Sequence, residues 1–424
     1  MRTKNLIITV LAVTIIFALF SSGCSSPTEP NNTQSTAYID LDETHQVIRG
    51  FGAANILPWR PDMTTDEINK AFGPGDGQIG FTILRLRIPS DTNEFSLNVP
   101  TAQLAYSMGV TIIASPWSPP AWMKTNNSIV GGRLNDTSYV SYAAHLKSFV
   151  DYMANNGIPI YAVSVQNEPD VTVSYESCDW NASQMLRFVK ENVPVIGTKI
   201  IVPESANFNH TISDAILNDP VGAANISIIG GHIYGGGIKN YPLAVSKGKE
   251  VWMTEYLINS GNPPTNLSID TGWTGAMQTA VSINDCMNAN MNAYVWWYLV
   301  RYYGPIADGT YANKGNITKK GYVMSQFARF VRPGFFRISA TENPQQNIFI
   351  TAFKDNSKIV IVVVNNCSLS LEQTFVLQNG TVTSVTPYVT SESKNCLQGN
   401  NITVGNDSFT ATLDASSITT FVSD

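Results

Sequence analysis

The stretch "YAVSVQNEPD" (Tyr161–Asp170) starts as an apolar β-run and stops on an amide, a carboxylate and a proline. A carboxylate at the mouth of a buried strand costs desolvation unless something there uses it. The same pattern recurs along the chain. "FTILRLRI", "VTIIASPW", "TKIIVPES", "ISIIGGHIY", "EVWMTEY" and "NAYVWWY" are near-continuous apolar runs with polar or aromatic ends. Amphipathic segments such as "SYVSYAAHLKSFVDYMANNG" and "ASQMLRFVKENVPVIG" lie between them. Apolar strands separated by helices predict a parallel sheet buried on both faces. With "VIRGFGAAN" in front there are eight such runs, enough to close an α/β (β/α)8 TIM barrel over residues 50–330.

From residue 331 to 424 the text changes to alternating strands such as "NIFITAFKD", "KIVIVVVNN" and "NITVGNDSFTATL", split by Asn, Gly, Asp and Ser. These predict an antiparallel β-sandwich beside the barrel. "TAYIDLDETHQVIRG" has the same character, so residues 37–49 are expected to join that sandwich from the other end of the chain.

The front of the chain reads as an address. "MRTKN" is basic, "LIITVLAVTIIFALF" is apolar but short of the ~20 residues that span a bilayer, and "SSGCSS" resembles a lipoprotein cleavage site. Residues 1–24 are therefore expected to be a signal segment ending at a lipid-bearing Cys24, with a plain secretory signal as the alternative. "SSPTEPNNTQST", within 25–36, reads as a flexible linker. Export to the cell surface, periplasm or medium of a bacterium follows either way, with the membrane touched only through Cys24. The chain has 424 residues, a formal net charge of −6 and no Lys/Arg cluster beyond the first residues, which argues against nucleic acid or anionic lipid as partner. A monomer is expected. The 8 Trp and 17 Tyr fit either core filling or stacking platforms for sugar rings, and composition does not choose. Cysteines and histidines show no metal-ligand spacing, so no metal or cofactor is expected. Cys367 and Cys396 are the better candidate disulfide pair, with buried free thiols the alternative.

Catalytic groups of such barrels sit at the C-terminal ends of strands. The fourth run ends at Asn167-Glu168 and the seventh at Glu255, which sets two carboxylates on one rim. Paired carboxylates flanking one bond are what glycoside hydrolysis requires. Glu168 is the better acid/base, because Asn167 beside it can bond a sugar 2-hydroxyl. Glu255 is the better nucleophile, with Arg85 and Tyr234 at neighbouring strand ends to keep it ionised. Rim salt bridges are the bland alternative for either glutamate alone.

These motifs carry a family resemblance over nearly the whole mature chain. "QVIRGFGAAN", "ASPWSPPAWMK", "VSVQNEPD", "PESANF", "GHIYG", "WMTEY" and "KKGYVMSQFARFVRPGFFRI" together resemble glycoside hydrolase family 30. The resemblance implies retaining hydrolysis with Glu168 as acid/base and Glu255 as nucleophile. "WWYLVRYYGP" resembles the eighth-strand loop of the bacterial glucuronoxylanase branch (subfamily 8), which implies that Trp297, Arg301 and Tyr303 grip a methylglucuronic acid side group on xylan. Arginine's planar fork suits a carboxylate independently of the name, although Arg301 could instead pair with Asp308. "EYLINSGN" is a residue shorter than in the branch, so Tyr256 and Ser260 match its glucuronate contacts only across a gap. Asn55, Trp59 and Trp117 match its cleft walls, Trp122 and Trp180 stay unassigned, and His232 is read as a hydrogen-bonded structural histidine. The expected activity is endo-cleavage of glucuronoxylan. A plain endoxylanase or xylobiohydrolase, and a non-catalytic surface glycan binder, are the alternatives.

Overall fold

The computed structural model describes residues 35–423. The expected signal segment, Cys24 and most of the expected linker lie outside them. After β1 (Thr36–Val47), eight parallel strands close into a barrel: β2 (Gly50–Asn55), β3 (Ile83–Ile88), β4 (Thr111–Pro116), β5 (Ala162–Ser164), β6 (Lys199–Ser205), β7 (Ile228–His232), β8 (Glu250–Glu255) and β9 (Ala293–Tyr298). The eight runs read from the sequence are these eight strands.

Alternation along each strand divides the apolar residues between two layers. On β3, Leu84, Leu86 and Ile88 join the core between barrel and helices, while Ile83 joins an inner cluster with Ile113, Ala162, Ile201, Ile228 and Trp252. Arg85 and Arg87 share the parity of Ile83 and so rise on the inner face towards the mouth. The two quoted amphipathic segments form helices Tyr139–Asn155 and Ala182–Glu191, the second capped by Asn181 and followed by a short 3-10 turn containing Pro194.

One strand is shorter than its sequence suggests. β5 leaves the ladder after Ser164. Beyond it the Asn167 amide donates to the Pro116 carbonyl at 2.8 Å and the Glu168 amide to the Glu204 carbonyl at 3.0 Å. Glu168 has φ 44° and Glu204 φ 63°, a left-handed backbone that non-glycine residues rarely adopt. The chain thus turns outward under the carboxylate instead of continuing as strand.

The second layer is one curled ten-stranded sheet, formed by β1 with β10 (Phe336–Ala340), β11 (Ile348–Lys354), β12 (Ile359–Asn365), β13 (Leu371–Gln378), β14 (Ser384–Ser391), β15 (Leu397–Gln398), β16 (Ile402–Thr403), β17 (Ser408–Leu413) and β18 (Ser417–Ser423). β1 lies between β10 and β13, antiparallel to the first and parallel to the second. Phe375, Phe409 and Phe421 pack inside the curl, with ring centroids 4.8 and 5.4 Å apart. β12 is apolar on both faces for a reason. Ile361 and Val363 fill the sandwich, whereas Val360, Val362 and Val364 join the core of the barrel's helices.

The expected Cys367–Cys396 bridge is not formed, because Cys396 is a buried free thiol. It lies in the hairpin between β14 and β15, with Sγ 3.4 Å from Arg329 Nη1, while Cys367 follows β12 with Sγ 3.6 Å from the Gln346 carbonyl. Among the described residues, no helix is long and apolar enough to cross a membrane.

Candidate active site

The barrel mouth holds a cleft of about 820 Å³ in which Trp59, Trp117, Tyr175, Tyr234, Trp297 and Tyr298 surround Glu168 and Glu255. The tryptophans brace one another, with centroids 5.3 Å apart for Trp59–Trp117 and 5.5 Å for Trp117–Trp297. One oxygen of Glu168 and one of Glu255 lie within 4.8 Å of each other. That is the separation at which one carboxylate can reach a sugar carbon while the other moves a proton on the leaving oxygen.

Both carboxylates are held by donors from other strands. Arg85, wholly buried, donates Nη1 to Glu255 Oε2 and Nη2 to Asn167 Oδ1 at 2.7 Å. Tyr234 donates to Glu255 Oε1 at 2.7 Å. Asn167 therefore turns its oxygen to Arg85, and its NH2 is the end left to meet a ligand. His232 sits between acids, with Nδ1 3.0 Å from Glu168 Oε1 and Nε2 3.1 Å from Glu204 Oε2. Glu204 is wholly buried and also accepts from Ser115 at 2.9 Å, Ser164 and Thr254.

The charges follow from these contacts. Burial alone would lower the His232 pKa, but the charge of Glu255 and the bonds to Glu168 and Glu204 raise it to about 10. Both ring nitrogens of His232 thus face carboxylate oxygens, an arrangement that favours the protonated ring. Burial works to raise Glu204, yet Arg85 and His232 hold it far below the usual carboxylate range. Burial likewise works to raise Glu168, and the His232 bond and charge overcome it to hold Glu168 low. Glu255 is pushed up, by burial first and by the charge of Glu168, against His232 and Arg85. The two titrate as a pair. Oxygen geometry shows where a shared proton can ride. Both oxygens of Glu255 already accept donated hydrogens, whereas Glu168 Oε2 meets the Tyr175 hydroxyl at a loose 3.3 Å. Glu168, His232 and Glu255 also converge as a metal site would. In this arrangement His232 spends both ring nitrogens on Glu168 and Glu204, and Glu255 both oxygens on Arg85 and Tyr234, so the trio is wired for proton chemistry.

The match of residues 61–338 to the glycosyl hydrolase family 30 TIM-barrel model covers most of the barrel and both carboxylates. The chain belongs to glycosyl hydrolase family 30. It is a glycoside hydrolase, 41% identical over 397 residues to glucuronoxylanase XynC of Bacillus subtilis strain 168, covering 92% of each chain. The glycoside hydrolase family 30 subfamily 8 xylanase Xyn30A of Clostridium acetobutylicum superposes with TM-score 0.84 at 39% identity, over 92% of this chain and 99% of that one. A family 30 endoxylanase of Clostridium papyrosolvens C71 gives TM-score 0.82 at 37% identity, over 92% and 100%.

Other sequence candidates of this family 30 hydrolase sit apart from the cleft lining. Asn55 is buried and donates to Asp62 at 2.8 Å. Arg301 Nη1 bonds Asp308 Oδ2 at 3.1 Å, the alternative pairing weighed for it. Tyr303 is buried edge-on against Tyr302, at 4.8 Å, with the Arg301 charge close enough to act on its hydroxyl. Tyr256 is wedged between Tyr234 and Trp296, at 5.8 and 6.1 Å. Ser260 gives its hydroxyl proton to Asp270 and accepts the amides of Thr265 and Asn266 at 2.9 and 2.7 Å, so it organises its own loop. Trp122 is 64% exposed and Trp180 is buried. Sequence reading missed Tyr175, Glu204 and Tyr298. Glu204 stood in view at the end of "KIIVPES", and the signal was again a carboxylate closing an apolar strand.

Proposed function

We propose that the protein is a retaining, endo-acting hydrolase of β-1,4-xylosidic bonds in xylan bearing (methyl)glucuronic acid. In this reading Glu168 protonates the leaving oxygen while Glu255 attacks the anomeric carbon. Glu168 then takes a proton from a water whose oxygen bonds the anomeric carbon, which breaks the bond to Glu255 and frees the sugar. The observation that carries it is the pair of carboxylate oxygens within 4.8 Å across one aromatic cleft. The relatives named glucuronoxylanase and xylanase supply the substrate class. Trp59 and Trp297, braced by the buried Trp117, offer surface for sugar rings, Asn167 a donor for the 2-hydroxyl, and Arg301 with Tyr303 the grip on the uronate.

A second reading, a xylanase indifferent to the uronate, is favoured by the Arg301–Asp308 contact and by the engaged hydroxyl of Ser260. Product masses decide between them. Cuts at a fixed distance from each uronic acid, with decorated xylan preferred over undecorated arabinoxylan, support the first reading; equal rates with scattered cuts support the second. Under the first reading Arg301→Ala costs about 2–4 kcal/mol in kcat/KM on glucuronoxylan and little on undecorated xylan. The address at the front of the chain supports export with a lipid at Cys24. Incorporation of radiolabelled palmitate by the wild type and not by Cys24→Ala tests that.

A further inference from the structure

Charge pairing around the cleft is uneven at one point. Arg85 faces two carboxylates, Glu255 and Glu204, and Arg87 faces two others, Glu94 and Glu176. Near Tyr298, which feels the charge of both Arg60 and Arg301, the ratio reverses. Asp308 Oδ2 accepts Nη1 of Arg301 and Nη2 of Arg60, each at 3.1 Å, and Oδ1 accepts the Thr310 amide at 3.0 Å. The carboxylate is 5% exposed, while Arg60 and Arg301 remain 27% and 20% exposed. The trio therefore carries one net positive charge, and the cationic heads are the part that meets solvent.

Both arginines are near neighbours along the chain of residues that line the cleft. Arg60 follows Trp59, which lines the cleft, and Arg301 follows the lining residues Trp297 and Tyr298 by a short turn. Among the described residues Arg60 Nε is buried with no hydrogen-bond partner, so they do not hold Arg60 with a full set of acceptors. A lone Arg301–Asp308 pair would be neutral, and an arriving carboxylate would compete with Asp308 for the guanidinium. With Arg60 on the same oxygen, Asp308 is already balanced.

We propose that Arg60 is a specificity residue for substrates carrying a carboxylate on the sugar: it neutralises Asp308, so that Arg301 keeps its charge for the uronate. This rests on the reading of Arg301 given above. Arg60 acts through Asp308 and Arg301, as a positioning residue.

The test compares kcat/KM on glucuronoxylan with kcat/KM on undecorated xylan for the wild type, Arg60→Gln, Arg60→Lys and the double variant Arg60→Gln/Asp308→Asn. The ratio is expected to fall about tenfold in Arg60→Gln, carried by KM rather than kcat, the scale of one lost charge contact. Arg60→Lys keeps most of the preference. The double variant regains it, because Arg301 is again the one uncompensated charge. An unchanged ratio in Arg60→Gln, or a double variant as low as the single one, overturns the proposal. Melting temperatures show which variants fold. If Arg60→Gln does not, Asp308→Asn alone decides: a kept or raised ratio supports the proposal and a fall overturns it. A wild type with no preference for decorated xylan overturns the underlying reading and this proposal together. A preference that needs Arg301 and ignores Arg60 overturns this proposal alone.

Discussion

Glu168 carries a carboxylate into the cleft on a backbone of φ 44°, which costs roughly 1–3 kcal/mol for a residue with a Cβ. Glycine relieves that strain and alanine does not. Glu168→Gly is therefore expected to melt above Glu168→Ala, while both lose about 10²–10⁴-fold of kcat on xylan by removal of the acid. Calorimetry and reducing-end assays check the two halves, and a less stable glycine variant would count against stored strain. His232 gives a second test at this scale. Its positive charge lowers both Glu168 and Glu255. Removing a cation raises a carboxylate's pKa, so His232→Gln should move both limbs of the kcat/KM pH profile to higher pH. Limbs that stay in place would show that the imidazole is neutral in the working enzyme.

At the scale of elements, the loop after β8 departs most from the role its resemblance implied. Ser260 bonds Asp270 and gathers two loop amides, and Lys320 donates to the carbonyls of Ile258 and Asp270 at 2.7 and 3.0 Å. Ser260→Ala should lower stability by about 1–2 kcal/mol. It should also reduce activity on decorated and undecorated xylan in the same proportion, read as an unchanged ratio of kcat/KM. A selective loss on decorated xylan would return Ser260 to the uronate. Strand positions and rim carboxylates were legible because alternation and a polar strand end are local features of text. Glu204 was not given a role, because its burial depends on Ser115, Ser164, His232 and Thr254 converging from four other strands. The Arg301–Asp308 contact was weighed in the sequence, but the sharing of Asp308 with Arg60, from the opposite end of the barrel's chain, was not visible there. The Cys396 thiol shows the same limit, since proximity along a chain says little about which faces meet.

For the molecule as a whole, the sandwich and the barrel share a core. β12 sends Val360, Val362 and Val364 into the helices of the barrel. Asn288 reaches the Ile350 carbonyl at 3.1 Å, and Gln326 reaches Thr390 at 2.8 Å. Val362→Asp buries an unpaired charge in that seam and should cost about 4 kcal/mol or more. The loss should appear as one cooperative urea transition, followed by both tryptophan fluorescence and far-UV circular dichroism. Two separate transitions would mean that the layers fold independently. β1 adds a matter of timing. Its Tyr38 amide bonds Thr341, 303 residues later, and it pairs with β13 further on still. During synthesis the opening strand therefore waits, unpaired at both edges, until almost the entire polypeptide has left the ribosome. Closure of so long a loop makes completion of the second layer a late and slow event, and the nascent chain spends most of its birth in an unfinished state.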